Sequence, residues 1–264
     1  MHPPTNPRRL PFVIAAAVVV VAAVVAVAVA FNQADSGTPV GAITPTPVPT
    51  ATPKPAVIPF ADCASETFGP ALAPLDEPSK VHTYSSEPAM TIDKSKLYEA
   101  TITTNKGVIV VCLQPDLAPI TVNVFVTLAR NHYFDGIPFA RVGPSSTVPD
   151  IIQGGDPNCI GNVPAAPATP SGTCGEGGPG FSFADEPVHQ QYVTGAIAMA
   201  NTGVGTNSNG SQFFICKANE TSLWPLNAEG LSYNLFGEVV SGQSVVDSIV
   251  QGDVMSTVTV SEQT

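Results

Sequence analysis

The residues with redox or metal chemistry in this chain are five cysteines, Cys63, Cys112, Cys159, Cys174 and Cys216, and four histidines, His2, His82, His132 and His189. The histidines stand at no ligand spacing from one another or from a cysteine, so neither a metal nor any other cofactor is expected. Cys159 and Cys174 bracket a Pro, Gly and Ala-rich stretch, CIGNVPAAPATPSGTC, that cannot order itself by burying apolar surface. A disulfide between them is the expected staple, worth roughly 3 kcal/mol for a loop near that length. Cys112 and Cys216 each sit in an apolar, strand-like run, where a buried free thiol is the commoner role. The odd count leaves at least one cysteine unpaired or paired elsewhere. Taken alone, an arginine at a strand end such as Arg141 reads as a solvated charge, and the pair Phe213 and Phe214 reads as core.

The elements that must position these residues begin at Tyr98. YEATITTN and VIVVCL alternate and cluster β-branched residues on either side of a turn at Lys106 and Gly107, which predicts a hairpin. Residues 120–132 place Val122, Phe125, Val126 and Ala129 three and four apart, one buried helical stripe, with Thr121 as its cap. Short strands are predicted at PFARV, IIQGG, AIAMA, SQFFIC and LFGEVV, separated by Gly, Asn and Pro clusters, and a last helix over 244–251. Many short strands with few helices imply a closed or nearly closed antiparallel barrel.

The rest of the chain has a different character. Residues 12–31 carry no charge and are almost entirely Val and Ala. About 20 residues at about 1.5 Å each suffice to cross a hydrocarbon core of ~30 Å. An uncleaved anchor is the primary reading, while the Ala-x-Ala pattern at Ala28 and Ala30 also suits a cleavable signal. Either reading exports everything beyond Phe31. Arg8 and Arg9 precede the span and no basic residue follows it before Lys54, which places the N-terminus in the cytoplasm. Residues 38–59 alternate Pro with Thr, Ala and Val, as an extended spacer does. A net charge of −11 argues against nucleic acid as a partner.

The strings FARV (139–142), IIQGGDP (151–157), AMAN (198–201), NGSQFFI (209–215) and FGEVV (236–240) resemble, in that order, the signature blocks of the cyclophilins. TVNVFVTLARNHYFDGIPF ahead of them is similar to that family's first helix and the turn after it, and the resemblance spans residues 98–255. It implies a mainly β fold, a closed eight-stranded antiparallel barrel capped by two helices, with a substrate groove on one outer face. The implied activity is cis/trans isomerisation of X-Pro bonds in proline-containing polypeptides. The organisation expected is then a cytoplasmic N-terminus (1–11), a single-pass cell-membrane anchor (12–31), a Pro/Thr-rich linker and loosely ordered arm (32–97) and an isomerase domain (98–260) outside the cytoplasm, acting as a monomer.

Rotation about the imide faces a barrier of about 18–20 kcal/mol because the nitrogen lone pair is delocalised into the carbonyl. No bond has to break, so a catalyst needs only groups that favour the twisted amide over both planar forms. By resemblance, Arg141 is the guanidinium that donates to the proline nitrogen, Gln153 the amide that supports it, and Phe214 the floor under the proline ring. Ile151, Ala200, Asn201, Gln212 and Tyr233 match substrate-binding positions. The rim residue falls among Leu223, Trp224 and Leu226, with Leu226 favoured. Three departures stand out: Ala140 where the family usually has histidine, Asp150 where it usually has an aromatic residue, and an insertion within GPSSTVPD. They predict a proline pocket short of one wall, and motivate an alternative reading as a low-turnover module that only grips X-Pro segments.

Overall fold

The computed structural model describes residues 56–75, 83–145, 148–162, 174–223 and 232–264, all within one compact unit, Thr50–Thr264. The expected anchor at 12–31 and most of the linker lie outside the described residues. Among the described residues no helix is long and apolar enough to cross a membrane.

The predicted hairpin forms as β2 (Tyr98–Thr104) and β3 (Gly107–Leu113), paired antiparallel from Tyr98↔Leu113 to Thr104↔Gly107. Period-two burial along β2 puts Tyr98, Ala100, Ile102 and Thr104 inward. Seven further strands complete one sheet: β1 (Phe68–Ala71), β4 (Arg141–Val142), β5 (Ile151–Gly154), β6 (Ala196–Met199), β7 (Phe213–Cys216), β8 (Leu235–Ser241) and β9 (Met255–Gln263). Their order is β1-β9-β2-β3-β8-β6-β7-β5-β4.

The expectation of a closed eight-stranded barrel is corrected on both counts. Among the described residues the sheet has nine strands, because the arm ahead of Tyr98 contributes β1, and its ladder is not closed, because β1 and β4 remain edges. The segment before β4 is nevertheless stitched to the start of β9, by the bridge Pro138↔Val254 and by Gly136 N–H and Phe139 N–H donating to the carbonyls of Met255 and Asp253, each at 2.7 Å. The long final strand β9 was not anticipated. Its core-facing Met255, Val258 and Val260 are separated by polar residues that face outward.

Helix α1 (Pro119–Arg130) buries Val122, Phe125, Val126 and Ala129 as the spacing predicts. It buries Asn123 as well, because the arm lies over its outer side: Thr91 N–H donates to Asn123 Oδ1 at 2.9 Å, and Asn123 Nδ2 donates to the carbonyl of Ala89 at 3.0 Å. Thr121 is not the cap. The Ncap is Ala118, without a side-chain bond, and the Glu186 carboxylate takes the Ile120 and Thr121 N–H groups instead, at 2.9 Å each. The last helix is α2 (Gln243–Ser248), shorter than predicted.

Two disulfides form, Cys63 to Cys112 and Cys159 to Cys174, and Cys216 is a buried free thiol. Cys112 is therefore not the free thiol its apolar run suggested; the arm brings Cys63 to it across 49 residues. Most buried apolar residues fall in two clusters on opposite faces of the sheet, and a third, small one joins Ala140 to Cys159 and Cys174. The main core holds Phe125, Phe134, Phe213 and Phe236 on one face. The smaller cluster, with Ile151, Val188, Tyr192, Phe214 and Leu235, lies on the other.

Candidate active site

The outer face of β4, β5, β7 and β6 carries the site. Cross-strand pairing sets Arg141 opposite Gln153, Gln153 opposite Phe214, and Phe214 opposite Ala198. Directly opposed residues share a face. With strands about 4.8 Å apart, Arg141 and Phe214 stand about 10 Å from each other with Gln153 between them, within the reach of a tripeptide.

The row is held by side-chain bonds of one polarity. Arg141 Nη1 donates to Gln153 Oε1 at 3.2 Å, and Gln153 Nε2 donates to Gln212 Oε1 at 3.1 Å. Gln212 Nε2 then donates to the carbonyls of Gly175 and Gly177, at 3.1 and 2.9 Å. Each amide accepts from one side and donates to the other, so the guanidinium is oriented by a relay that ends on backbone.

Beside Arg141 lies a cavity of about 100 Å³ lined by Arg141, Pro149, Ile151, Gln153, Ala200, Asn201, Phe214, Leu223 and Tyr233. Phe214 is 3% exposed, and Tyr233 meets it edge-on with ring centroids 5.4 Å apart. Tyr233 is fixed from behind by the buried Tyr192 phenol, which donates to its carbonyl at 2.6 Å and accepts from its N–H at 3.0 Å. Burial pushes the Tyr192 phenol above its ordinary value, so it stays a neutral donor.

A second cavity of about 350 Å³ shares Arg141, Gln153, Ala200 and Asn201 with the first and runs on to Gln212, Thr202 and residues 175–179. The two make one continuous groove. Among the described residues the backbone of Asn201 forms no hydrogen bond, while Ala200 N–H donates to the carbonyl of Gln212 at 2.9 Å.

All of the expected site residues within the described part meet at this groove: Arg141, Gln153, Phe214, Ile151, Ala200, Asn201, Gln212 and Tyr233. Leu226 and Trp224 lie outside the described residues, and of the three rim candidates Leu223 lines the cavity. The insertion contributes to the lining of this cavity. Asp150 turns away, with its N–H donating to Glu220 at 2.7 Å and its carboxylate 3.9 Å from Lys217 Nζ, while the preceding Pro149 takes the lining position. Pro149 was missed because the extra residues remove any register by which to assign it. Tyr192 was missed because its role is to hold a neighbour.

Residues 100–264 match the family described as cyclophilin type peptidyl-prolyl cis-trans isomerase/CLD. A Staphylococcus aureus protein named as a peptidyl-prolyl cis-trans isomerase is 35% identical over 170 residues, covering 55% of this chain and 77% of its own. A Staphylococcus epidermidis protein of the same name shows the same identity and coverage. A solved Cryptosporidium parvum cyclophilin type peptidyl-prolyl cis-trans isomerase aligns with a TM-score of 0.49 at 22% identity, covering 62% of this chain and 97% of that one. The chain belongs to the cyclophilin-type peptidyl-prolyl cis-trans isomerases, enzymes that turn X-Pro peptide bonds.

Proposed function

We propose that this chain is an extracytoplasmic prolyl isomerase, tethered to the cell membrane by residues 12–31, that speeds X-Pro rotation in exported polypeptides as they fold. The supporting sequence features are the uncharged span after Arg8 and Arg9 and the Pro/Thr spacer beyond it. Uncatalysed X-Pro rotation takes tens of seconds or more, slow enough to limit folding, so a tethered catalyst near the site of emergence has a use.

In this reading the substrate lies extended along Ala200 and Asn201, whose Asn201 peptide groups are open to pair with it, and the proline ring enters the small cavity against Phe214, Ile151 and Pro149. As the C–N bond twists, the lone pair localises on nitrogen, and the Arg141 guanidinium donates to it. That donation is worth nothing to the planar forms, which have no localised lone pair, so it lowers the barrier selectively. A planar fork held by Gln153 keeps its donors aimed, which a lysine ammonium cannot do.

The single observation carrying the isomerase reading is the cross-strand row that puts Arg141, Gln153 and Phe214 on one outer face. Arg141→Ala tests it. Loss of a preorganised donor of this kind costs about 10²–10³ in turnover. The expected result in an NMR exchange assay on an Ala-Pro peptide is a fall of that size in kcat, with peptide affinity retained within a few fold. An unchanged rate removes Arg141 from the mechanism; binding without turnover in the unaltered chain replaces the enzyme with the gripping module.

A further inference from the structure

The relay that orients Arg141 ends on two carbonyls, Gly175 and Gly177, and these belong to a strip held in an unusual way. Cys174, which opens the strip, is bonded to Cys159 and fully buried. The buried Asp156 carboxylate accepts the N–H groups of Gly175 and Gly177, and also that of Asn158 at 2.8 Å, as the cap of the short turn Pro157–Cys159. A Cβ on Gly177 would lie 2.0 Å from Asp156 Oδ1, so glycine is required for this approach. One face of the strip is thus pinned by its N–H groups and its disulfide, and the opposite carbonyls are handed to Gln212.

We propose that Asp156 and the Cys159–Cys174 disulfide are positioning elements for the isomerase: they fix the Gly175 and Gly177 carbonyls where Gln212, and through it Gln153, hold the Arg141 guanidinium over the groove. The inference rests on the proposed role of Arg141. Removing either element frees the strip, Gln212 loses its two acceptors, and the guanidinium loses its fixed aim. Reduction does the same reversibly: a dithiol gives two electrons and two protons to the bond, leaving two cysteine thiols and the oxidised dithiol, so turnover depends on the redox state of this one disulfide.

The test uses the full chain in detergent, at a temperature where melting curves show every variant folded. In the oxidised chain Cys159→Ala/Cys174→Ala and Asp156→Ala each lower kcat on an Ala-Pro peptide about tenfold. Cys63→Ala/Cys112→Ala, which breaks the other disulfide, stays within about twofold. Dithiothreitol added to that last variant, where Cys159–Cys174 is the only remaining disulfide among the five cysteines, reproduces the tenfold loss, and reoxidation restores the rate. This arm stands even if Cys159→Ala/Cys174→Ala fails to fold. In an Arg141→Ala background the clamp variants cause no further loss, an outcome that general loosening would not give. Clamp variants within twofold of the unaltered chain, or losses that multiply with Arg141→Ala, overturn the inference. No turnover in the unaltered, oxidised chain overturns the parent reading instead.

Discussion

Phe213 and Phe214 are neighbours in sequence with opposite duties. Alternation along β7 sends Phe213 into the aromatic core, edge-on to Phe125 and Phe134, and Phe214 to the groove. A slip of one residue in β7 would exchange them, so the pairings Ile152↔Ile215 and Gln153↔Phe214 decide whether a floor exists. The same alternation sends Cys216 outward into the smaller cluster, where burial, with the Glu220 and Asp150 carboxylates adding to it, pushes the thiol up to about 12. The thiolate is the reactive form. A native, oxidised chain at pH 8 is therefore expected to give no reaction with an aromatic disulfide reagent over minutes, and one thiol per chain once denatured without reductant. Rapid native labelling would show that Cys216 opens to solvent, or that one of the disulfides is not formed.

At the scale of elements, the N-terminus of α1 is closed by a side chain distant in sequence. Glu186 takes the Ile120 and Thr121 N–H groups and the Thr121 hydroxyl, while its own N–H donates to Asn234 Oδ1 and Asn234 Nδ2 donates back to Thr121 Oγ1. A carboxylate suits a helix N-terminus. Burial nevertheless outweighs those bonds and, with the Glu87 charge, raises the Glu186 carboxyl above its ordinary value. The unfolded chain then loses this proton first; between the two values the native state binds more protons, and stability falls as pH rises through that window. Glu186→Gln mimics the protonated form at all pH. Its stability relative to the unaltered chain is expected to improve from pH 4 to pH 7 in urea titrations, whatever constant offset the amide brings. A difference that is flat or moves the other way would mean the carboxylate is favoured in the fold.

Where local pattern decided an element it was legible: the β2–β3 hairpin from alternation along β2 and clustered β-branched residues along β3, and α1 from three-and-four spacing. The strand β9 was readable in part, since Val258 and Val260 alternate with Thr and Ser, but so polar a run gives no apolar cluster to notice. The helix cap could not be read, because Glu186 is far from α1 in the chain and Thr121, the local candidate, is diverted to that carboxylate. The groove was legible through Arg141, Gln153 and Phe214 only as members of ordered blocks. Pro149 and the strip carrying Gly175 reach it by loop geometry, and loops of irregular length leave no register to count.

On the scale of the whole molecule, the arm ahead of Tyr98 is a structural part of the sheet. Its strand β1 covers the edge that β9 would otherwise expose, which blunts a template for pairing with another chain. Ala61 N–H donates to Gln114 Oε1 at 2.9 Å, Gln114 Nε2 returns to the carbonyl of Pro59 at 3.1 Å, and the disulfide from Cys63 locks this junction to β3. This covalent joint fixes the arm to the domain without relying on β1, which is only four residues long. The entropy that the unfolded chain regains when a loop of 49 residues is opened gives Cys63→Ala/Cys112→Ala an expected loss of about 4 kcal/mol, against about 3 for the shorter loop closed by Cys159 and Cys174. Limited proteolysis should cut the arm within residues 63–75 well before the rest of the domain in that variant, and not in the oxidised chain. A loss below about 1 kcal/mol with the arm still protected would show that β1, the Gln114 bonds and the packing of Thr91 on α1 hold the arm by themselves, and that the disulfide secures a junction already stable without it.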